Sequence, residues 1–109
     1  MELELADAVA RAKGWELVDG KWWRVTGGPA PYLLERRFYR PDLHWSLCGQ
    51  LIEEADITLE RLADFLYRAK AHAAHSVSDR FLPRPEATGG TQIVAVCRAY
   101  VAWAARAEV

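Results

Sequence analysis

Two histidines, His72 and His75, have the spacing best suited to binding a metal ion in this chain, with Asp79 as a candidate third ligand. On a helix, side chains three residues apart lie on one face, so the two rings can converge on one ion. On a strand, the same rings would point to opposite sides. Because two ligands are only a fragment of a site, we expect solvent-facing histidines, no metal and no other cofactor.

A second pair, His44 and Cys48, is four residues apart and would suit a soft metal on a helix. Cys48 follows Leu47 in an apolar stretch, so we expect it to fill the core instead. Cys97 also lies in an apolar run, and neither cysteine belongs to a C-x-x-C motif. Both thiols are therefore expected to be free.

Nucleophilic and acid–base catalysis find little support. The serines Ser46, Ser76 and Ser78 stand near histidines in the sequence, but none lies in a G-x-S-x-G motif or another context that activates a hydroxyl. Glu53 and Glu54 are adjacent carboxylates, and solvated charges at a helix end explain them better than a catalytic pair does. We expect this protein not to be an enzyme.

The segment from Glu35 to Arg40 interleaves basic and aromatic side chains and is the sharpest candidate for recognition. Such a pattern can bind a phosphate backbone or an acidic protein surface. It is also typical of an edge strand that arginine keeps soluble. The chain has 14 basic and 15 acidic side chains, so no overall positive field favours nucleic acid.

Trp22, Trp23 and Arg24 form the second recognition candidate. Adjacent strand residues point to opposite faces of a sheet, so both indoles cannot enter the same side. An exposed tryptophan beside Arg24 would anchor an interface, whereas helices on both faces of the sheet would bury both rings. The residues expected to contact a partner are Trp22, Trp23, Arg24, Arg36, Arg37, Tyr39 and Arg40.

Size and composition indicate one compact domain over residues 1–109. With 109 residues and 51% apolar content, the chain can build one core but not two. No stretch approaches the roughly 20 apolar residues of a membrane span, and the N-terminus is acidic rather than basic. Two isolated cysteines fit a reducing compartment. We therefore expect a cytoplasmic protein without membrane contact.

The N-terminal half predicts a helix followed by a hairpin. Helical spacing of apolar residues covers 2–13, and Gly14 supplies the left-handed exit. Strands at 15–18 and 22–25 flank a D-G turn. Residues 27–31 are expected to form a loop, and residues 32–39 a further short strand.

The C-terminal half predicts two helices with an ambiguous region between them. Pro41-Asp42 is expected to start the first, with an apolar stripe from Leu43 to Ile52. Residues 57–75 fit a helix by propensity and a hairpin by the alternation from Tyr67 to Ala73. Residues 83–90 read as a loop, and Thr91 as the cap of the last helix.

Several short segments resemble small phage and prophage proteins of the "ABA sandwich" type. They are Lys13-Gly14-Trp15, the Trp-rich hairpin, Arg40-Pro41-Asp42 before a Leu-rich helix, and Ala95-Val96-Cys97-Arg98-Ala99. The resemblance implies the order helix, hairpin, helix, hairpin, helix, and so favours a hairpin at 57–75. It implies no catalytic residues.

The sequence thus predicts an α+β fold, a small antiparallel sheet packed with about three helices. For function it predicts a non-enzymatic, phage-encoded accessory factor that binds a host or phage protein, with an anti-CRISPR-like inhibitor of a bacterial defence system as the specific version. The alternatives are a nucleic-acid-binding regulator that uses residues 35–40 and a small metal-dependent enzyme at His72 and His75. An exposed strand edge or Trp patch would also suit a homodimer.

Overall fold

The computed structural model describes residues 4–24 and 34–108, apart from the side chains at positions 24, 34 and 108. Helices and strands alternate along the chain in an α+β fold, as predicted. The helices are α1 (Glu4–Ala12), α2 (Trp45–Ala55) and α3 (Gln92–Ala105). The strands are β1 (Trp15–Val18), β2 (Lys21–Arg24), β3 (Leu34–Glu35), β4 (Ile57–Ala63), β5 (Leu66–Ala71) and β6 (Glu86–Gly89).

Helix α1 ends as its sequence predicts. Val9 and Ala10 are fully buried on its inner face. Gly14 then takes φ +85°, a left-handed conformation that a residue with a Cβ avoids. This exit turns the chain directly into β1.

Strands β1, β2 and β3 form an N-terminal antiparallel sheet in that order. Val18 pairs with Lys21 across a two-residue turn in which Asp19 and Gly20 both have positive φ, 53° and 73°. This is the hairpin that the D-G signal predicts. A two-residue turn with positive φ at both positions has a backbone twist that matches the twist of the flanking strands. The predicted loop at 27–31 lies outside the described residues.

Strands β4, β5 and β6 form a C-terminal antiparallel sheet in that order. The ambiguity at 57–75 is therefore resolved in favour of the hairpin, with Ile57 opposite Ala71 and Leu59 opposite Ala69. Ala69 and Ala71 are fully buried. Their small side chains let α3 pack close to the sheet, a long-range contact that outweighs the local helix propensity.

The prediction of a loop over 83–90 was wrong for its second half. Residues 86–89 form β6, in which Glu86 pairs with Lys70 and Gly89 with Tyr67. Gly89 is required there by packing, since a Cβ would lie 2.7 Å from the backbone nitrogen of Ala95. The glycine that suggested a loop instead marks a close approach of strand and helix.

The predicted start of α2 was also wrong. Residues 41–43 form a turn, in which the backbone N–H groups of Leu43 and His44 both donate to the carbonyl of Arg40, and the helix begins at Trp45. Asp42 does not cap the helix, because its carboxylate is paired with the Arg40 guanidinium. Leu43 consequently falls outside the helical stripe and is exposed.

Helix α3 is the centre of the fold and contacts α1, α2 and all three strands of the C-terminal sheet. Thr91 caps it as predicted: its Oγ1 accepts the backbone N–H of Val94 at 3.2 Å. The helix buries residues on nearly every turn, including Val96, Tyr100 and Trp103. Within the described ranges, no helix is both long and apolar enough to cross a membrane.

Cys48 on α2 and Cys97 on α3 are free thiols in the core, as predicted. They lie against one another, and the hydrogen bond between them together with burial raises the pKa of the Cys97 thiol. Both are fully buried. They act as small apolar residues where α2 crosses α3.

Candidate functional site

The Arg/aromatic segment at 35–40 does not form one continuous surface. A 3-10 turn at Arg36–Phe38 follows β3, so the predicted strand ends at Glu35. Arg36 points back to α1, where its Nε and Nη2 donate to the buried Asp7 carboxylate at 3.1 and 2.5 Å. This ion pair raises the pKa of the Arg36 guanidinium. Arg36 therefore holds the turn after β3 against α1.

Tyr39 and Arg40 also point inward. Tyr39 is buried, and its ring meets Trp15 edge-on with 4.8 Å between centroids. Burial raises the pKa of the Tyr39 phenol. Arg40 donates from Nε and Nη2 to Asp42 at 3.0 and 2.8 Å. Neither residue presents its functional group to a partner in this conformation.

Arg37 and Phe38 are the residues of this segment that face outward. The Arg37 side chain is 74% exposed and pairs with Glu35 at 3.1 Å. Its guanidinium also lies 4.8 Å from the centroid of the Phe38 ring, which is itself exposed. What remains of the predicted basic surface is one arginine that already has a carboxylate partner.

The two tryptophans of β2 behave as the pleat requires. Trp22 is fully buried, with the Arg11 guanidinium 5.6 Å from its ring centroid. Trp23 is half-buried and donates from Nε1 to the Val18 carbonyl at 3.4 Å. Trp22 is therefore a core residue rather than an interface anchor. The side chain of Arg24 lies outside the description.

The two histidines proposed as metal ligands are each bonded to a different neighbour. His72 follows β5 and hydrogen-bonds Thr58 Oγ1 through Nε2 at 2.8 Å. The His75 ring stacks on Trp103 and donates from Nε2 to the Trp103 carbonyl at 2.7 Å. Among residues 4–24 and 34–108, no three His, Cys, Asp or Glu side chains are grouped to hold a metal ion.

Asp79 lies in a cluster of hydrogen bonds and ion pairs that its spacing from the histidines did not predict. Its buried carboxylate accepts the backbone N–H of His75 at 3.0 Å, Arg84 Nη2 at 3.1 Å and Arg106 Nη2 at 2.5 Å. The His75 N–H bond, followed by the two arginines, lowers the pKa of Asp79 to about 2. The residue stays ionised at neutral pH and joins the 75–84 segment to the end of α3.

A groove of about 360 Å³ opens between the tip of the β4–β5 hairpin and the start of α3. Its apolar walls are the side chains of Trp45, Phe65, Tyr67 and Ile93, and we call it the aromatic groove. Trp45 is 50% exposed and Phe65 is 84% exposed. Large aromatic side chains bury much apolar area and are enriched at protein interfaces.

Phe65 is unusual in its backbone as well as its exposure. Its φ is +58°, a left-handed conformation. The other two described non-glycine residues with positive φ are Asp19 and Asp56, and aspartate tolerates this region. A phenylalanine there gains no burial that would offset the strain. Strained residues concentrate at functional sites.

Sequence reasoning missed the aromatic groove. Phe65 fitted an apolar helical stripe with Leu62 and Leu66, and Trp45 fell inside a predicted helix. One signal was available: once 57–75 is taken as a hairpin, Asp64-Phe65 occupies the turn, where an aromatic residue has no conformational reason to be.

Comparison with protein-family models, with curated proteins and with solved structures gives no match for this chain. The resemblance to the ABA-sandwich type therefore stays a prediction.

Proposed function

We propose that this chain is a non-enzymatic protein-recognition domain that binds an apolar side chain of a partner protein in the aromatic groove. The observation that carries the proposal is Phe65, which is 84% exposed and has a left-handed backbone. The fold keeps a large apolar side chain in water at a conformational cost, and a partner that covers the ring would offset that cost.

The groove has the features of an interface core. Trp45 and Phe65 supply rigid apolar area with few rotatable bonds. At the hairpin tip, Arg61 and Asp64 form an ion pair that is neutral overall. An uncharged apolar segment of the partner is therefore the best match in chemistry.

The setting we propose is the bacterial cytoplasm, with the chain as a phage accessory factor. This setting is supported by the sequence resemblance and by the unpaired cysteines. Inhibition of a bacterial defence system is the version to test first.

The nucleic-acid alternative has less support from the geometry. Arg36, Arg37 and Arg40 each pair with a carboxylate, so binding phosphates would require breaking those pairs. The metal-enzyme alternative has less support too, because the His75 ring is bonded to the end of α3.

A site-specific cross-link tests the proposal. A photo-reactive phenylalanine analogue placed at position 65 is expected to cross-link one host protein when the domain is incubated in host lysate. The same analogue at position 38 is the matched control, because Phe38 is also exposed but lies outside the groove. Equal cross-linking of the same proteins from both positions would count against the groove.

A further inference from the structure

The two cysteines of the chain meet in the core beside the aromatic groove. Cys48 lies on α2 and Cys97 on α3, and the Cys97 thiol donates a hydrogen bond to the Cys48 sulfur. Both side chains are fully buried. A disulfide requires two cysteines whose side chains approach each other closely. Two helices that are distant in sequence bring these two sulfurs together in the folded chain.

The thiol pair lies one helical turn below the aromatic groove. Trp45, a wall of the groove, is three residues before Cys48 on α2. Ile93, another wall, is four residues before Cys97 on α3. Helix residues three or four apart lie on the same face, one above the other. The two helices that carry the groove walls therefore touch through their cysteines, about 5 Å further along each helix.

The two thiols are not equivalent. The hydrogen bond from Cys97 lowers the pKa of the Cys48 thiol, and the same hydrogen bond together with burial raises the pKa of the Cys97 thiol. The thiolate, rather than the thiol, is the form that attacks an oxidant. Cys48 is therefore the attacking sulfur, and Cys97 is placed to react with the oxidised product.

Access to the buried pair requires local opening at the start of α2, and two features favour that opening. His44, the N-cap of the helix, makes no side-chain hydrogen bond to it. Gly49 lies inside the helix with open space around it, and an interior glycine weakens a helix relative to alanine. Cys48 lies between these two residues. An oxidant as small as hydrogen peroxide needs only such a local opening to reach it.

We infer that Cys48 and Cys97 form a thiol switch that narrows the aromatic groove when the protein meets hydrogen peroxide. The Cys48 thiolate attacks one peroxide oxygen, the O–O bond breaks, and hydroxide leaves, so Cys48 becomes a sulfenic acid. The Cys97 sulfur then displaces that hydroxyl group, the S–S bond forms, and water leaves with the Cys97 proton. The hydroxide takes the proton that Cys48 lost. The two sulfurs lose two electrons, and one peroxide becomes two waters.

The disulfide changes the spacing of the two helices. Its sulfurs lie about 2 Å apart, closer than two sulfurs that are not bonded. Helices α2 and α3 are drawn together at this point, and Trp45 approaches Ile93 across the groove. A narrower groove admits an apolar side chain less well. This consequence for binding rests on the proposed function of the groove, whereas the thiol chemistry does not.

The first test is oxidation of the folded, reduced full chain with hydrogen peroxide, followed by alkylation of the remaining thiols in denaturant and mass spectrometry of tryptic peptides. We expect a monomer in which the peptides of Cys48 and Cys97 are cross-linked, and both thiols return with dithiothreitol. Cys48→Ala is the matched variant, in which Cys97 should stay reduced at the same peroxide dose. If Cys48→Ala does not fold, the cross-linked peptides of the parent still identify the pair.

The second test is ¹⁵N NMR of the reduced and oxidised parent, which observes the groove without any partner. We expect the amides of Trp45, Gln92 and Ile93 to shift on oxidation and to return with dithiothreitol. The amides of Arg80 and Arg106 are the internal control, because they lie at the other end of α3 and should stay unchanged. The photo-reactive analogue at position 65 should then cross-link its host protein at least about threefold less in the oxidised form.

Two results would overturn the inference. One is a folded parent whose peroxide products lack the Cys48–Cys97 bond, whether its thiols stay reduced, become sulfinic acids or link separate chains. The other is a disulfide that unfolds the protein or leaves the groove amides unmoved. A reduced protein that cross-links no host partner would count against the proposed function and would leave the thiol results intact, so the two proposals can fail separately.

Discussion

Arg36 forms a two-pronged ion pair with Asp7, in which both its Nε and Nη2 donate to a carboxylate that is 8% exposed. The pair joins the turn after β3 to α1 and so attaches the N-terminal sheet to the helical layer. Arg36 was expected from the sequence to contact a partner, but it forms an internal ion pair instead. Mutation can test whether its role is structural.

Arg36→Ala should lower the stability of the domain clearly more than Arg37→Ala. The first change leaves the buried Asp7 carboxylate without its partner, whereas the second removes an arginine whose side chain is 74% exposed. Urea denaturation followed by Trp fluorescence measures both. Equal midpoints for the two variants would show that the buried Arg36–Asp7 pair contributes no more to stability than the exposed Arg37–Glu35 pair does.

Replacing either of two glycines by alanine is expected to change stability in opposite directions. Gly89→Ala should destabilise the fold by about 1–3 kcal/mol, because its Cβ would overlap the backbone nitrogen of Ala95 and the side chain of Val94. Gly49→Ala should stabilise it by about 1 kcal/mol, because Gly49 lies inside α2 with open space around it.

Thermal unfolding of the two glycine variants checks both signs in one experiment. If Gly89→Ala were tolerated, β6 and α3 could not approach as closely as the structure places them. The prediction is sharp because both changes add the same methyl group and differ only in surroundings.

Asp79 should make stability dependent on acid pH. Its pKa falls from 3.8 to about 2 in the folded protein, so the folded state binds a proton less readily than the unfolded chain does. The resulting stabilisation is complete above about pH 4 and is lost as the pH falls through about 2. Asp79→Asn should therefore be less stable than the parent at pH 7.

Denaturation midpoints measured over a series of pH values test this prediction. The difference in denaturation midpoint between parent and Asp79→Asn is expected to shrink steadily from pH 5 to pH 2. A difference that stays constant over this range would mean that Asp79 contributes through packing rather than through its charge.

Local signals in the sequence predicted those parts of the fold that local chemistry determines. Gly14, the Asp19-Gly20 turn and the Thr91 cap each act through the backbone within a few residues. The hairpin at 57–75 could be chosen only with the help of the family resemblance and of the alternation from Tyr67 to Ala73, since Ala69 and Ala71 are buried and β5 packs on the distant helix α3.

Long-range partners explain the failures. β6 follows Pro85 and contains Gly89, which are both loop signals, yet it forms because it pairs with the edge of β5. Arg36 and Tyr39 share a composition typical of a binding surface, and their orientation depends on Asp7 and Trp15, which are distant in sequence. Composition identifies such residues as candidates but does not determine the direction in which their side chains point.

A single substitution in the aromatic groove can distinguish its effect on stability from its effect on binding. Phe65→Gly removes an exposed ring and a left-handed phenylalanine together. Stability should be unchanged or rise by up to about 1 kcal/mol, because glycine adopts positive φ without strain. A functional side chain is the one whose removal leaves the fold intact and impairs binding.

The most direct measurement of the central claim is a quantitative affinity purification from host lysate with three baits, the parent, Phe65→Gly and Phe38→Ala, with stability measured for each. The account predicts a host protein that is retained by the parent and by Phe38→Ala and is lost with Phe65→Gly, although Phe65→Gly is at least as stable as the parent. Retention of that protein at equal levels by a folded Phe65→Gly would contradict the account.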